Sequence, residues 1–318
     1  MTIWLSIAAG LILLTLGAEA LIRGAAGLAR RFGLSELLIG LTLVGFGTST
    51  PELVSSVQAA LSGAPGIAIG NVVGSNIANI LLILGLSAAI APIAIEPRSF
   101  RRDMPALIAA TMFVTVVILS GAIGRFAGAG FLIAIAAYIA YAYFSERVRI
   151  SAPEPMRHEA EAAEIHSTQS PLVAVILSII GLVLLVIGAK MLVTGAIEIA
   201  SSLGVSEAVI GLTIVAVGTS LPELVTSVMA AFRGKSDLAL GNVVGSNIYN
   251  LLGILGATAL IQPVTVAAEI INFDIWVMVG ATAAMALFAW TRRSVERWEG
   301  YVLLLAYTAY LGWLAFTV

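Results

Sequence analysis

Two glutamates stand inside apolar sequence, and the residues around them are written twice. The first lies in GLTLVGFGTSTPELVSS (40–56), followed by GNVVGSNIANILLILG (70–85). The second lies in GLTIVAVGTSLPELVTS (211–227), followed by GNVVGSNIYNLLGILG (241–256). Position by position, 12 of 17 and 13 of 16 residues are identical, at a constant offset of 171. A carboxylate at membrane depth is costly, so Glu52 and Glu223 read as functional. Oxygen-bearing side chains accompany each glutamate: Thr48, Ser49 and Ser56, then Thr219, Ser220 and Ser227. The i, i+3 and i, i+4 spacings predict that each set shares one helical face with its glutamate. In the second motif, Ser75 and Asn79 are i, i+4, as are Ser246 and Asn250. Asn71 and Asn242, beside Gly70 and Gly241, are expected to cap or orient the first turn of their helices.

Glycine and proline crowd the glutamates. Pro51 and Pro222 remove an amide donor and displace the carbonyl four residues back, that of Gly47 and of Gly218. A helix broken in this way is tolerated in a membrane only where its free carbonyls are buried in protein or line a cavity. Carboxylates, hydroxyls and free carbonyls are the ligands of a hard cation such as Ca²⁺. Simpler readings compete with this one. The glycines of GNVVGSN also suit close helix packing. An isolated Ser or Thr would bond back to its own backbone. An ion pair could bury the glutamates, but Arg23 and Lys190 are the only bases inside predicted helices. A phosphate-binding glycine loop would need a following Lys and a preceding soluble strand.

The elements that must position these residues are membrane helices. The chain of 318 residues is 60% hydrophobic and 11% charged, with a mean hydropathy of +1.05, against about 25% charged in soluble domains. Apolar runs long enough to span a bilayer recur from end to end. They predict an all-α polytopic membrane protein of ten helices, at roughly 3–29, 35–62, 66–91, 103–121, 125–145, 171–200, 206–233, 237–261, 272–290 and 298–317. Three regions follow: a first half at 1–146, a linker at 147–170 and a second half at 171–318. The first 20 residues lack a basic n-region and continue past a typical signal core, so they read as helix 1. The net charge of −2 suggests no nucleic-acid partner, and the absence of cysteine excludes disulfides.

Of the 16 Lys and Arg, 13 fall in loops that would lie on one side of the membrane. The positive-inside rule makes that side cytoplasmic, with both termini outside and the linker inside. Five helices per half is odd, so the second copy enters from the opposite face. The halves form an inverted repeat, with the two glutamates facing each other at the centre. FGLSE (32–36) matching LGVSE (203–207) extends the repeat upstream, as does a GA-x-x-L-x-x-GA pattern at 17–25 and 188–196. Glu19 aligns with Lys190 and reads as structural or interfacial. Glu36 and Glu207 read as first-turn acids complementing the helix dipole. His158 and His166 lie in the polar linker and read as solvated.

GTSTPE and GTSLPE, each followed by GNVVGSNI-x-N, resemble the two alpha repeats of the Ca²⁺/cation antiporter superfamily, in its sodium/calcium exchanger branch with its bacterial members. The resemblance covers essentially the full chain. The H⁺/Ca²⁺ branch typically carries GN-x-x-E where this chain has GTS-x-PE. The resemblance implies a core of helices 2, 3, 7 and 8, across which helices 1 and 6 slide. It maps the family's acidic pair onto Glu52 and Glu223. Its hydroxyl ligands map onto Thr48, Ser49, Thr219, Ser220, Ser75 and Ser246, and carbonyls of Gly45 and Ala216 become candidates for Na⁺. Some relatives, the K⁺-dependent exchangers, carry Asp at the position of Asn250. Here Asn79 and Asn250 are both amides, which weakens the case for K⁺ co-transport and leaves two site charges.

The function this implies is Ca²⁺/Na⁺ antiport by alternating access in a bacterial inner membrane, by a monomer in the lipid bilayer. No cofactor is expected, since Ca²⁺ and Na⁺ bind transiently as substrates. A third Na⁺, as the family implies, makes the exchange electrogenic. An antiporter of the same build using H⁺ or another divalent ion is the alternative, ahead of a cation channel. No nucleophile–base pair or His/Asp metal set lies within the helices, which argues against an enzyme.

Overall fold

The computed structural model describes residues 2–32, 34–95, 97–150, 170–202 and 216–317. Of the linker expected at 147–170, residues 147–150 instead continue the helix Arg125–Ile150, and 151–169, with His158 and His166, lie outside the described residues. The LGVSE match, Glu207 and the start of the predicted helix 206–233 fall on 203–215, also outside them.

The first half begins with α1 (Thr2–Phe32). The next apolar segment is in two pieces, α2 (Leu37–Thr48) and α3 (Thr50–Leu61), bent by 43°. Then come α4 (Pro65–Ile90), α5 (Pro97–Ile118) and α6 (Arg125–Ile150). The second half holds α7 (Pro171–Ser202), the short α8 (Ala216–Thr219), α9 (Leu221–Phe232), α10 (Ser236–Ile261), α11 (Ile270–Arg292) and α12 (Arg297–Thr317). Among the described residues, seven helices are long and apolar enough to cross a membrane, or eight with α2 and α3 taken as one span. The helix starting at 97 rather than the predicted 103 opens on Pro97, whose fixed φ suits a first helical position.

The breaks fall at the serines. Ser49, between α2 and α3, has φ −82° and ψ 8°. Ser220, between α8 and α9, has φ −88° and ψ 8°. Pro51 and Pro222 stand in the first turns that follow, where a missing donor leaves no helical bond unmade. The expectation of one continuous face through Thr48, Ser49 and Glu52 is therefore corrected: the helix bends between the hydroxyls and the carboxylate. Wide π turns form Gly40–Val44 in α2, Asn79–Leu84 in α4, Tyr249–Ile254 in α10 and Ile270–Asp274 opening α11.

Glycines set how the helices meet. A Cβ on Gly10 would lie 2.9 Å from the Gly188 carbonyl, and one on Gly17 would lie 2.9 Å from that of Gly181. On Gly24 it would lie 2.7 Å from the Ala174 carbonyl. Residue numbers rise on α1 as they fall on α7, so these two helices pack antiparallel with their backbones almost touching. Without a hydrophobic drive in lipid, such close dispersion contact is what holds membrane helices together. The first part of α2 instead runs parallel to α10: Gly241 approaches the Leu37 carbonyl, and Gly245 that of Leu41. Two further contacts cross between the halves. Gly128 on α6 meets Gly256 on α10, and Gly300 on α12 meets Gly85 on α4.

Two antiparallel ribbons of two residues per strand cross in the same way. β1 (Ile93–Ala94) pairs with β4 (Ser294–Val295), and β2 (Ala122–Ile123) pairs with β3 (Val264–Thr265). Each ribbon joins one strand from each half. The motifs are not the only duplicated polar set. Tyr138 donates to Asp103 at 3.0 Å, and Tyr310 donates to Asp274 at 2.9 Å. The aspartates lie 171 residues apart and the tyrosines 172, tying α5 to α6 and α11 to α12.

The α1–α7 seam gives a direct test. Gly181→Leu places carbons where the Leu21 amide already lies 2.5 Å from a Cβ. Overpacking of this kind costs about 1–3 kcal/mol, so the melting temperature in detergent should fall by several degrees. Gly130→Ala, whose added Cβ meets only the Phe113 ring at 3.8 Å, should stay within about 0.5 kcal/mol of wild type. Fluorescence melting curves of both variants check the pair.

Candidate ion-binding site

The two broken helices bring the glutamates together through their serines. Ser49 Oγ donates to Glu223 Oε1 at 2.6 Å, and Ser220 Oγ lies 3.1 Å from Glu52 Oε1. Each half thus supplies a hydroxyl to the other half's carboxylate. The break at each serine explains this reach. Leaving the helix, Ser49 and Ser220 point across the bundle instead of along their own helix. Ser220 Oγ also lies 3.4 Å from Ser75 Oγ, which adds α4 to the cluster. Ser246 Oγ on α10 donates to the Gly45 carbonyl at 3.2 Å. Thr48 Oγ1 donates to the Val44 carbonyl at 3.0 Å, with Gly45 O and Asn242 Oδ1 each at 3.3 Å.

Both carboxylates are sealed from solvent, each at 1% exposure. Each sits in the first turn of its helix piece, α3 or α9, where the helix dipole favours negative charge. Each also keeps one oxygen, Oε2, buried with no hydrogen-bond partner. The side-chain amides of Asn79 and Asn250 are buried and equally without partners. Buried polar atoms are nearly always bonded, and an unsatisfied one costs about 1–3 kcal/mol, more if charged. Two buried carboxylates, each with one orphaned oxygen and each bonded to a serine of the other half, are what a site built for a cation would leave in its own interior. The ion-pair alternative finds no support. Arg23 is held by Glu19 at 2.6 Å, Lys190 is exposed, and the salt bridges among the described residues do not involve Glu52 or Glu223. No cluster of three or more His, Cys, Asp or Glu forms among the described residues. A cation here would be held by two carboxylates and neutral oxygens.

The expectation that Asn71 and Asn242 cap their helices is overturned. Ala64 and Lys235 occupy those ends, and the asparagines lie well inside α4 and α10. Asn71 Nδ2 bonds the Glu52 carbonyl at 3.3 Å and Ser56 Oγ at 2.9 Å. Asn242 Nδ2 bonds the Glu223 carbonyl at 3.2 Å and Ser227 Oγ at 2.8 Å. Each asparagine fixes the backbone of the glutamate turn from the neighbouring helix. Ser56 and Ser227 are thereby engaged as braces.

Thr219 is half-buried, and Ala216 opens α8 with its carbonyl side toward the break. Asn76 and Asn247 lie outside the set of residues expected at the site. Both are buried, and each donates to a carbonyl one turn back at 2.8 Å while its Oδ1 has no partner. Ser87 and Thr258, also 171 apart, are buried with unpartnered hydroxyls. Identity at the constant offset is the signal that marks the two asparagines. One cover is not duplicated: Phe46 stacks on Tyr249 at 4.4 Å, where the repeat has Val217 and Ala78.

Comparison with known proteins places the chain in a family. The profile described as "Sodium/calcium exchanger protein" matches residues 2–145 and 173–316. The chain is 35% identical to the sodium/calcium exchanger MaX1 of Methanosarcina acetivorans, over 95% of each chain. It is 33% identical to the inner membrane protein YrbG of Escherichia coli, over 96% of this chain and 94% of the other. Its structure superposes on that of the sodium-calcium exchanger NCX_Mj with a TM-score of 0.84, at 33% identity and 98% coverage of both chains. With apolar spans, two duplicated signatures and full-length similarity in both sequence and structure, this integral membrane protein belongs to the sodium/calcium exchanger family.

Proposed function

We propose that the protein exchanges Ca²⁺ for Na⁺ across a membrane, binding either ion at the site formed by Glu52 and Glu223. The crossed serine bonds carry this reading, together with the two orphaned Oε2 atoms and the buried, unpartnered amides of Asn79 and Asn250. Thr48, Ser49, Thr219, Ser220, Ser75 and Ser246 supply hydroxyl oxygens, and Gly45 and Ala216 supply carbonyls on the Na⁺ side of the cycle. Relatives and a solved structure named as sodium/calcium exchangers support the same ion pair.

Charge matching gives the mechanism. One Ca²⁺ or two Na⁺ neutralise the two carboxylates, so the ions compete for one ligand set. An empty site would leave two uncompensated charges in a low-dielectric interior, where repulsion is strong. Reorientation is then favoured only with ions bound, which couples the two fluxes. A third Na⁺ makes each cycle move net charge. Alternating access proceeds between ten membrane helices arranged as two inverted halves. Support for that arrangement comes from the antiparallel packing of α1 on α7, the exchanged ribbons and the crossed glycine contacts. The cytoplasmic side carries the arginine-rich loops, with both termini on the other side.

Reconstituted vesicles test the proposal. Wild-type protein should take up Ca²⁺ when an outward Na⁺ gradient is imposed, and a pH gradient of equal size should drive little or none. Uptake driven by the pH gradient alone would favour a proton-coupled antiporter. Replacing K⁺ by choline should leave the Na⁺-driven flux unchanged, because both Asn79 and Asn250 are neutral. Glu52→Gln and Glu223→Gln should each abolish Ca²⁺ flux, and normal exchange by either would sink the assignment. Ser49→Ala and Ser220→Ala each remove a hydroxyl bonded to a carboxylate, worth about 1.5–3 kcal/mol. Each should raise the half-saturating Ca²⁺ concentration roughly tenfold or more.

A further inference from the structure

Away from the ion site, a slot of about 440 Å³ opens between α5 and α11, within the roughly 300–1,000 Å³ range of ligand pockets. Pro105, Ile108 and Met112 line it from α5, and Ala283, Leu287 and Trp290 from α11. It opens on the outer face of the bundle, where Ile108 is 40% and Leu287 55% exposed. Thr282, also on the wall, commits its hydroxyl to the Met278 carbonyl at 3.0 Å, and the buried, unpartnered hydroxyl of Thr111 is the other polar group among otherwise apolar lining residues.

Both walls end in arginine. Arg101, Pro105, Ile108 and Met112 follow one another at i, i+4, i+7 and i+11, a single stripe of α5. On α11 the stripe of Ala283, Leu287 and Trp290 runs to the helix end at Arg292, and Arg293 follows as the C-cap with a left-handed backbone (φ 53°). The two ends lie on the same side of the molecule. The Ile95 amide donates to the Arg293 carbonyl at 2.8 Å, and the β1–β4 ribbon pairs the approach to α5 with the exit from α11. Arg101 and Arg293 are both exposed. The neighbouring acids are engaged: Asp103 holds Arg102 at 2.6 Å, and Glu296 accepts from Ser294 at 2.7 Å. Trp290, 74% exposed, sits between apolar slot and charged end, the level at which Trp favours a membrane interface.

We propose that this slot is a binding site for an acidic phospholipid of the surrounding bilayer, with an acyl chain between α5 and α11 and the phosphate on Arg101 and Arg293. An apolar slot facing lipid selects a chain, since no soluble partner reaches that depth. Two guanidinium groups at its mouth select a headgroup of net negative charge, because the fork geometry of arginine suits phosphate. The site is separate from the glutamates, so its test does not depend on which ions are exchanged.

Native mass spectrometry of the purified full-length protein, with phosphatidylglycerol and phosphatidylcholine of equal chain length, reads the occupancy. Wild type should retain phosphatidylglycerol in clear preference to phosphatidylcholine. Arg101→Gln and Arg293→Gln should each reduce that preference about fivefold, while Arg297→Gln, on the same side but opening α12, which does not line the slot, should leave it. Ala283→Trp fills the slot and should reduce retention of phosphatidylglycerol. Ca²⁺ flux in vesicles confirms that each variant is folded. Absence of a preference in wild type, an equal loss in Arg297→Gln, or undiminished retention in Ala283→Trp would overturn the proposal.

Discussion

Two carboxylates face one another in the apolar centre of this molecule, and no fixed positive side chain is paired with either among the described residues. Everything around them answers that constraint. A lone buried carboxylate is tolerated if it is paired, bonded or neutralised. Here each receives one serine hydroxyl, one helix N-terminus and one asparagine brace on its own carbonyl. These contacts fix position without cancelling charge. In the exchange proposed above, the remaining charge is left for a mobile cation, and a site that depends on its cargo for neutrality would couple occupancy to conformational change.

The crossed arrangement follows from how each half is built. A helix broken at Ser49 or Ser220 aims its hydroxyl outward at the break and starts a new helix whose first turn carries the glutamate. Neither half completes its own site, since the hydroxyl that reaches Glu52 comes from α8–α9 and the one that reaches Glu223 from α2–α3. The same exchange recurs in the ribbons and in the Gly128–Gly256 and Gly300–Gly85 contacts. Close backbone approach through glycine lets two halves meet along their length while the polar atoms gather at the centre.

Much of this was legible in the sequence because duplication is a strong signal. Identity at offset 171 marks Glu52 and Glu223, Ser49 and Ser220, Asn79 and Asn250 without any knowledge of packing. Helix positions followed from hydropathy, since a membrane segment must satisfy its own backbone. What the pattern could not provide was direction. The i, i+4 rule assumes an unbroken helix, so it put Thr48, Ser49 and Glu52 on one face and missed that Ser49 crosses to the other half. Asn71 and Asn242 looked like caps because the residue type favours caps, whereas packing against the glutamate turn puts them to a different use. The π turns beginning at Asn79 and Tyr249 depend on tertiary context and leave no periodic trace. In the Asp103–Tyr138 and Asp274–Tyr310 pairs the aspartates keep the offset of 171 but the tyrosines are one residue off it, and single residues in loosely similar helices do not stand out.

Symmetry at the ligands contrasts with asymmetry around them. The crossed serines and asparagine braces repeat almost atom for atom, so the ion itself would meet equivalent surroundings from either half. The cover does not repeat: Phe46 stacks on Tyr249, where the other half has Val217 and Ala78. The surface ties do not repeat either. Glu19 bridges Arg23 and Arg233 at 2.6 and 2.7 Å, whereas the corresponding positions are Lys190 and Ser62, which cannot form that pair. A bridge exposed to this extent is worth at most about 1 kcal/mol, a population ratio of roughly five. Features of that size bias two orientations without locking either one. A rigidly paired, fully buried tie would do the opposite, holding the bundle in one state regardless of cargo. On the proposed mechanism, cargo-dependent neutrality at the centre would govern the equilibrium, and weak surface ties such as this bridge leave it room to do so.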